Sequence, residues 1–103
     1  MDQAVHTEAN DVRAAPRRRV RVRALIREAG SSRIDIDMFD LSSGGFRFFS
    51  VYRFAVGARV FLTVAGLAPQ EAVIAWHAGD DYRCRFVRPL YPAVFEALVA
   101  RLQ

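Results

Sequence analysis

Apolar and polar residues alternate along much of this chain with a period of two. In the first run, apolar residues occupy every second position from Val20 to Ile26, and arginine fills most positions between them. A second run starts at Arg33 and places Ile34, Ile36 and Met38 on one face. This period is typical of strands with one buried face, so the two runs predict two strands joined by a turn at residues 30–32.

Four further strands are predicted downstream of these two. They cover residues 46–48, 59–64, 71–77 and 82–87. The last two predict a hairpin around Gly79, whereas residues 51–57 read as an irregular apolar connection. Six short strands at this spacing favour a mainly β fold, a six-stranded antiparallel barrel, because closure removes exposed sheet edges.

The two ends of the chain follow other patterns. After Pro89 the apolar residues recur at helical spacing, which predicts a C-terminal amphipathic helix packed on the barrel. The expected inner face of this helix consists of Tyr91, Val94, Phe95, Leu98 and Leu102. Residues 1–12 are polar and lack periodicity, which predicts a flexible N-terminal arm ahead of a single domain over residues 13–103.

Charge adds a local anion-binding patch to this picture. All 15 basic residues are arginine, seven of them lie between Arg13 and Arg27, and the net charge of the 103-residue chain is only +4. The basicity is therefore concentrated in one segment. Guanidinium groups bind phosphate, pair with the O6 and N7 edge of guanine, and stack on bases, so the segment favours a nucleotide ligand.

Composition also bears on compartment. No apolar run approaches the roughly 20 residues that a membrane helix needs, and the acidic residues near the start do not fit a signal peptide. A cytoplasmic protein without a membrane partner is expected. Cys84 is the sole cysteine and alternates with Tyr82 and Phe86, which predicts a small buried side chain.

Catalytic chemistry is not expected. His6 falls in the predicted arm and His77 at a hairpin end, and neither has partners at the spacing of a metal site. Asp80 and Asp81 are interpreted as turn residues, and Trp76, next to Ile74 on a strand, is interpreted as core. We therefore predict neither an enzyme nor a bound cofactor.

Two short motifs carry the functional prediction. Arg13 and Arg17 enclose Ala-Ala-Pro in the pattern RxxxR, and Asp40, Ser42 and Gly45 form the pattern DxSxxG. In this order, and separated by the first alternating strands, they resemble the two-part signature of the PilZ family, bacterial receptor domains for cyclic di-GMP. The resemblance extends over nearly the whole chain from Arg13. It implies a six-stranded barrel with a C-terminal helix and a noncatalytic receptor or adaptor.

The resemblance also implies roles for the arginines. Arg13 and Arg17 would lie on an arm that wraps the ligand against the barrel and contacts guanine bases and phosphates. Other arginine pairs of equal spacing occur in the same run, but Pro16, directly before Arg17, matches the common form of the family motif. Arg18 and Arg19 would then add contacts to the ligand.

In the second motif, the resemblance implies that Asp40 accepts hydrogen bonds from guanine N1 and N2, Ser42 bonds a base or phosphate, and Gly45 permits the turn. Arg47 is a neighbour within reach of a phosphate.

Strand parity places Asp40 on the core side with Met38. The carboxylate must therefore lie where the strand leaves the core, turn outward at a bulge, or find donors.

The resulting hypothesis is a receptor whose arginine arm is disordered when free and closes over cyclic di-GMP, creating a surface that a downstream protein partner reads. Two alternatives stay open. The first alternative, which we do not favour, is a nucleic-acid-binding barrel. It predicts that binding of RNA or DNA falls steeply with salt concentration and that Asp40→Ala has little effect on it. A ligand-independent adaptor predicts that partner binding is the same with and without the nucleotide.

Overall fold

The computed structural model describes residues 17–102, so the predicted arm of residues 1–12 and the motif residue Arg13 lie outside the described residues. Within the described range the chain forms six strands and one helix. They are β1 (Arg18–Glu28), β2 (Arg33–Leu41), β3 (Gly45–Phe49), β4 (Arg59–Thr63), β5 (Gln70–Ala78), β6 (Asp81–Phe86) and α1 (Pro92–Leu102). The predicted strands are all present, and each end lies within three residues of the predicted one.

The six strands close into one antiparallel barrel in the order β1-β2-β3-β6-β5-β4. The last step pairs β1 with β4, for example Ile26 with Leu62, so the sheet has no free edge along this stretch. Strands β5 and β6 form the predicted hairpin, and Gly79 takes a positive φ of 58° in its turn. The prediction of a six-stranded barrel is therefore confirmed.

The barrel core is built from the inward positions of the alternating runs. Phe48 and Tyr82 are fully buried, and their rings stack with centroids 5.1 Å apart. The Tyr82 hydroxyl accepts a hydrogen bond from the Phe54 N–H at 3.1 Å and donates one to the Tyr52 carbonyl at 3.3 Å. This polar group is therefore satisfied inside the core, and it ties the 50–58 connection to β6.

Cys84 also faces the barrel interior, as predicted. Burial raises the pKa of its thiol, because the charged thiolate is disfavoured away from water. Cys84 therefore stays protonated and acts as a small apolar side chain.

Helix α1 packs on the barrel with a face that differs from the predicted one. The buried residues are Phe95, Leu98 and Val99, whereas Val94 and Tyr91 are exposed, Tyr91 by 79%. The prediction was wrong for Tyr91 because the helix begins at the following residue, where proline is favoured, so Tyr91 is not in the helical period. It was wrong for Val94 because the buried stripe is centred on Phe95, which leaves position 94 at the edge of that stripe. None of the helices formed by residues 17–102 is long and apolar enough to cross a membrane.

Candidate functional site: an arginine-lined cleft on the barrel wall

Strand β2 carries a bulge immediately before the second motif. The register between β2 and β3 shifts between Met38 and Asp40, and both Met38 and Leu41 are buried in the core. Phe39 and Asp40 both lie off the core as a result, and the Asp40 side chain is 14% exposed. Of the three solutions that parity left open for Asp40, the structure has the bulge.

A second bulge on β5 has the same effect on Trp76. The register between β5 and β6 shifts between Ile74 and Trp76. Ile74 is fully buried, but Trp76 is 43% exposed. The prediction that Trp76 belongs to the core was wrong, because the extra residue in the strand turns the indole to the outer face.

With these two bulges, polar and aromatic side chains from five strands lie in one row. In the strand ladders Arg19 lies opposite Asp40, Asp40 opposite Arg47, Arg47 opposite Arg83, and Arg83 opposite Trp76. A cleft of about 310 Å³ follows this row on the outer wall of the barrel. Asp40, Arg47, Arg83 and Trp76 all line it, so residues far apart in sequence share one site.

Within residues 17–102, Asp40 lies near two arginines but accepts no hydrogen bond from them. Its Oδ2 lies 3.7 Å from Arg17 Nη1 and 4.0 Å from Arg47 Nη1, both beyond good hydrogen-bond distance. Its Oδ1 is buried and has no hydrogen-bond partner among residues 17–102. A carboxylate in this state costs free energy until donors reach it, so Asp40 has free capacity to accept hydrogen bonds from N–H groups.

Ser42 and Gly45 shape the turn that follows Asp40. The buried Ser42 hydroxyl accepts hydrogen bonds from the Gly44 and Gly45 N–H groups, each at 3.2 Å, and the Ser42 N–H donates to the Gly45 carbonyl at 2.9 Å. The neighbouring carbonyl of Ser43 accepts from the Leu90 N–H at 2.8 Å. Ser42 therefore holds the motif turn, and its direct contact with a base or phosphate stays a prediction.

Gly45 is required by a close approach between strands. A Cβ atom built at this position would overlap the carbonyl oxygen of Cys84 on β6. Gly45 does not have a positive φ, so a left-handed backbone is not the reason for glycine here. Glycine is therefore needed at position 45 for the close approach of two backbones.

The arginines of the first motif region divide into two groups. Arg17 lines the cleft beside Asp40. Arg18 and Arg19 belong to β1 and not to an arm, because the strand begins two residues earlier than predicted. Arg18 Nη2 lies 3.5 Å from Glu96 on α1, and Arg19 lies opposite Asp40 in the ladder.

Arg47 is fixed beside the cleft. Its Nη2 donates a hydrogen bond to Asp81 Oδ2 at 2.8 Å, and its guanidinium carbon lies 4.7 Å from the centre of the Phe39 ring. One donor of this guanidinium is therefore used by Asp81, and the predicted contact with a phosphate stays a prediction.

Sequence reasoning missed three cleft residues, namely Trp76, Arg83 and Arg85. The Arg83 guanidinium carbon lies 4.7 Å from the Trp76 ring centre, a cation–π contact that leaves part of the indole exposed. Arg85 lies opposite Gly45 of the motif. The outward arginines of the hairpin were a usable signal, but only the β3–β6 register shows that they flank Asp40.

This set of side chains suits a flat, anionic, nitrogen-rich ligand. An indole face offers stacking, guanidinium groups offer phosphate binding, and the Asp40 carboxylate can accept hydrogen bonds from N–H donors. Among residues 17–102, no group of three or more His, Cys, Asp or Glu side chains is arranged to hold a metal ion.

Fold and cleft together define a small β-barrel binding domain with an arginine-lined cleft. The PilZ domain model matches residues 11–102 of the sequence. The chain therefore belongs to the PilZ domain family, the family of cyclic di-GMP receptors, whose members are noncatalytic binding domains. A search of curated proteins returned no match.

Proposed function

We propose that this protein is a noncatalytic receptor that binds cyclic di-GMP in the cleft beside Asp40. The observation that carries the proposal is the Asp40 carboxylate, 14% exposed, with one oxygen buried and unpartnered within the described chain. It shares the cleft with the exposed indole of Trp76. A guanine base would satisfy both groups at once.

The chemistry of guanine suits the groups that line the cleft. Its N1–H and N2 amine are neighbouring donors that suit a carboxylate, and its O6 and N7 suit a guanidinium. Its flat ring stacks well on an indole. Arg17, Arg83 and Arg85 lie around the same cleft and carry the positive charge that two phosphates need.

The arginine segment completes the proposed site. Arg17 is already at the cleft, and the family match begins at residue 11 and so includes Arg13. We infer that Arg13 and Arg17 close over the bound nucleotide, with Arg18 and Arg19 adding charge at its edge. Binding would order this segment against the barrel and create the surface that a downstream protein reads in the bacterial cytoplasm.

Titration calorimetry with the purified protein tests the main proposal. We expect cyclic di-GMP to bind with a Kd of about 1 μM or tighter at physiological salt, which corresponds to roughly 8 kcal/mol. Cyclic di-AMP is the matched control, because adenine offers the carboxylate no N1–H. We expect it to bind about 100-fold more weakly, since Asp40 would stay unpaired.

Two results would contradict the proposal. One is the absence of heat with cyclic di-GMP at roughly 50 μM, well above the expected Kd. The other is equal or tighter binding of single-stranded RNA with a steep salt dependence, which would favour the nucleic-acid alternative.

Trp76 supplies a second test, because it is the sole tryptophan of the chain. We expect cyclic di-GMP to quench its fluorescence on stacking, and Trp76→Ala to weaken binding by about tenfold or more, in line with 1–3 kcal/mol per stacked base. Trp76→Phe should keep most of the affinity. Tyr91→Ala is the control, as an aromatic residue 79% exposed outside the cleft. Unchanged emission at saturating ligand would place the base elsewhere.

A further inference from the structure

Asp81 at the start of β6 lies outside both motifs, yet it contacts the side chain that faces Asp40. We propose that Asp81 is a positioning residue that holds Arg47 away from Asp40 and so keeps the Asp40 carboxylate open to ligand. The inference deepens the proposed function and rests on it. It also revises the expected role of Arg47, from a direct phosphate contact to the resident counterion of the site.

Arg47 is held on two sides. On one side Asp81 Oδ2 accepts a hydrogen bond from Nη2 at 2.8 Å. On the other, the guanidinium lies over Phe39, whose ring stacks on Phe49 with centroids 4.4 Å apart. The Arg47 side chain is only 26% exposed, so few other positions are open to it.

Arg47 and Asp40 carry opposite charges but do not form a hydrogen bond, and this separation is the feature to be explained. Arg47 Nη1 lies 4.0 Å from Asp40 Oδ2, and Asp40 Oδ1 and Arg47 Nε are both buried without hydrogen-bond partners among the described residues. A direct bond between them would satisfy both groups and lower the free energy. The hydrogen bond to Asp81 opposes this movement, because it holds the same guanidinium through Nη2, whereas Nη1 is the nitrogen that lies 4.0 Å from Asp40.

The consequence for ligand binding follows from competition for one acceptor. If Arg47 closed onto Asp40, the guanine N–H donors would have to displace a charge-assisted bond before making their own. With Arg47 held at Asp81, its charge still stabilises the ionised carboxylate while the lone pairs of Asp40 stay free. Asp81 therefore raises affinity for the nucleotide without touching it.

Calorimetry on three variants tests this inference. We expect Asp81→Ala to weaken cyclic di-GMP binding about tenfold, as Arg47 moves to Asp40. Combining it with Arg47→Met should return the affinity to within about threefold of the original, because no guanidinium is left to occupy the carboxylate. The matched control is Asp80→Ala, which removes the neighbouring carboxylate. Asp80 accepts a hydrogen bond from Arg53 at 2.9 Å, so its removal should leave the affinity for cyclic di-GMP unchanged.

The recovery of affinity in the double variant distinguishes a positioning role of Asp81 from a direct contact between Arg47 and the ligand. If Arg47 binds a phosphate directly, the double variant will bind more weakly than Asp81→Ala alone, and the inference is overturned. Equal binding by Asp81→Ala and the parent protein also overturns it. Thermal unfolding of each variant checks that the barrel persists, and Asp81→Asn, which keeps the side-chain volume, should show a smaller loss in the same direction.

A crystal structure of the unliganded Asp81→Ala protein gives a readout that needs no nucleotide. We expect an Arg47 nitrogen within about 3 Å of an Asp40 oxygen. An unchanged gap would overturn the inference even if the parent protein binds cyclic di-GMP. Failure of the parent protein to bind would instead overturn the proposed function, while a closed gap in the crystal would still support the positioning of Arg47 by Asp81.

Discussion

Asp40→Ala is expected to weaken cyclic di-GMP binding by about 100-fold or more, because hydrogen bonds to a charged group contribute about 1.5–3 kcal/mol each. Guanine N1–H and N2–H would both lose their acceptor, and the cleft has no other carboxylate among its lining residues in the described chain. The loss should appear in calorimetry as an absence of heat at ligand concentrations that saturate the parent protein.

The barrel should survive this substitution. Asp40 lies at a bulge, outside the core, and its carboxylate makes no hydrogen bond within residues 17–102 that the fold would lose. Arg47 keeps its bond to Asp81. Arg17 is partly exposed, so removing Asp40 leaves no buried arginine without a partner carboxylate, and we expect the Tm of Asp40→Ala to stay close to that of the parent.

Asp37→Ala is the matched control on the same strand. The Asp37 side chain is 69% exposed, forms an ion pair with Arg23 at 3.3 Å, and does not line the cleft. Exposed pairs of this kind contribute little, and we expect binding and Tm to stay near the parent values. An Asp40→Ala protein that kept its affinity within a few fold would contradict the assignment of guanine to this carboxylate and favour a purely electrostatic contact.

The barrel could be predicted from the sequence because its core follows a strict period of two. Val20, Ala24 and Ile26 of β1 are buried, whereas the arginines at positions 21 and 23 between them are exposed. Binary patterning of this kind determines which face of each strand points inward. The six strands followed from that pattern together with the turn residues between them, and the terminal helix followed from the change to helical spacing after Pro89.

The geometry of the site could not be predicted because it depends on departures from that period. A bulge adds one residue to a strand without changing the local composition. The alternation around Ile74 therefore did not predict that Trp76 faces outward. Parity did indicate that Asp40 needed a special solution, since a charge on the core side is costly. The sequence could not show which of the three solutions applied to Asp40, or which arginines of β6 lie near it. Both depend on the register between strands that are far apart in the sequence.

The motif glycine shows how fold and site share one residue, and it gives the second large expected effect. We expect Gly45→Ala to lower the free energy of unfolding by about 3 kcal/mol, at the upper end of the usual cost of overpacking. The added Cβ would meet the Cys84 carbonyl on β6, and neither backbone can move without parting the β3–β6 ladder. For a domain of this size, the Tm should fall by roughly 15 °C.

Gly30→Ala separates this close approach from the general cost of losing glycine. Gly30 has a φ of +83° in the β1–β2 turn, and a Cβ there meets no other atom within 4 Å. Its replacement should cost about 1–2 kcal/mol, from backbone conformation alone. Gly45→Ala has no such conformational penalty, so a larger loss of stability at that position must come from the contact between strands.

The two variants together decide the role of Gly45. If they prove equally stable and only Gly45→Ala loses the nucleotide, glycine is needed at position 45 to let the ligand approach the backbone and not to let β6 do so. If Gly45→Ala is the less stable, this glycine of the DxSxxG motif is a requirement of the barrel, and the motif describes how the binding wall is built as well as what it binds.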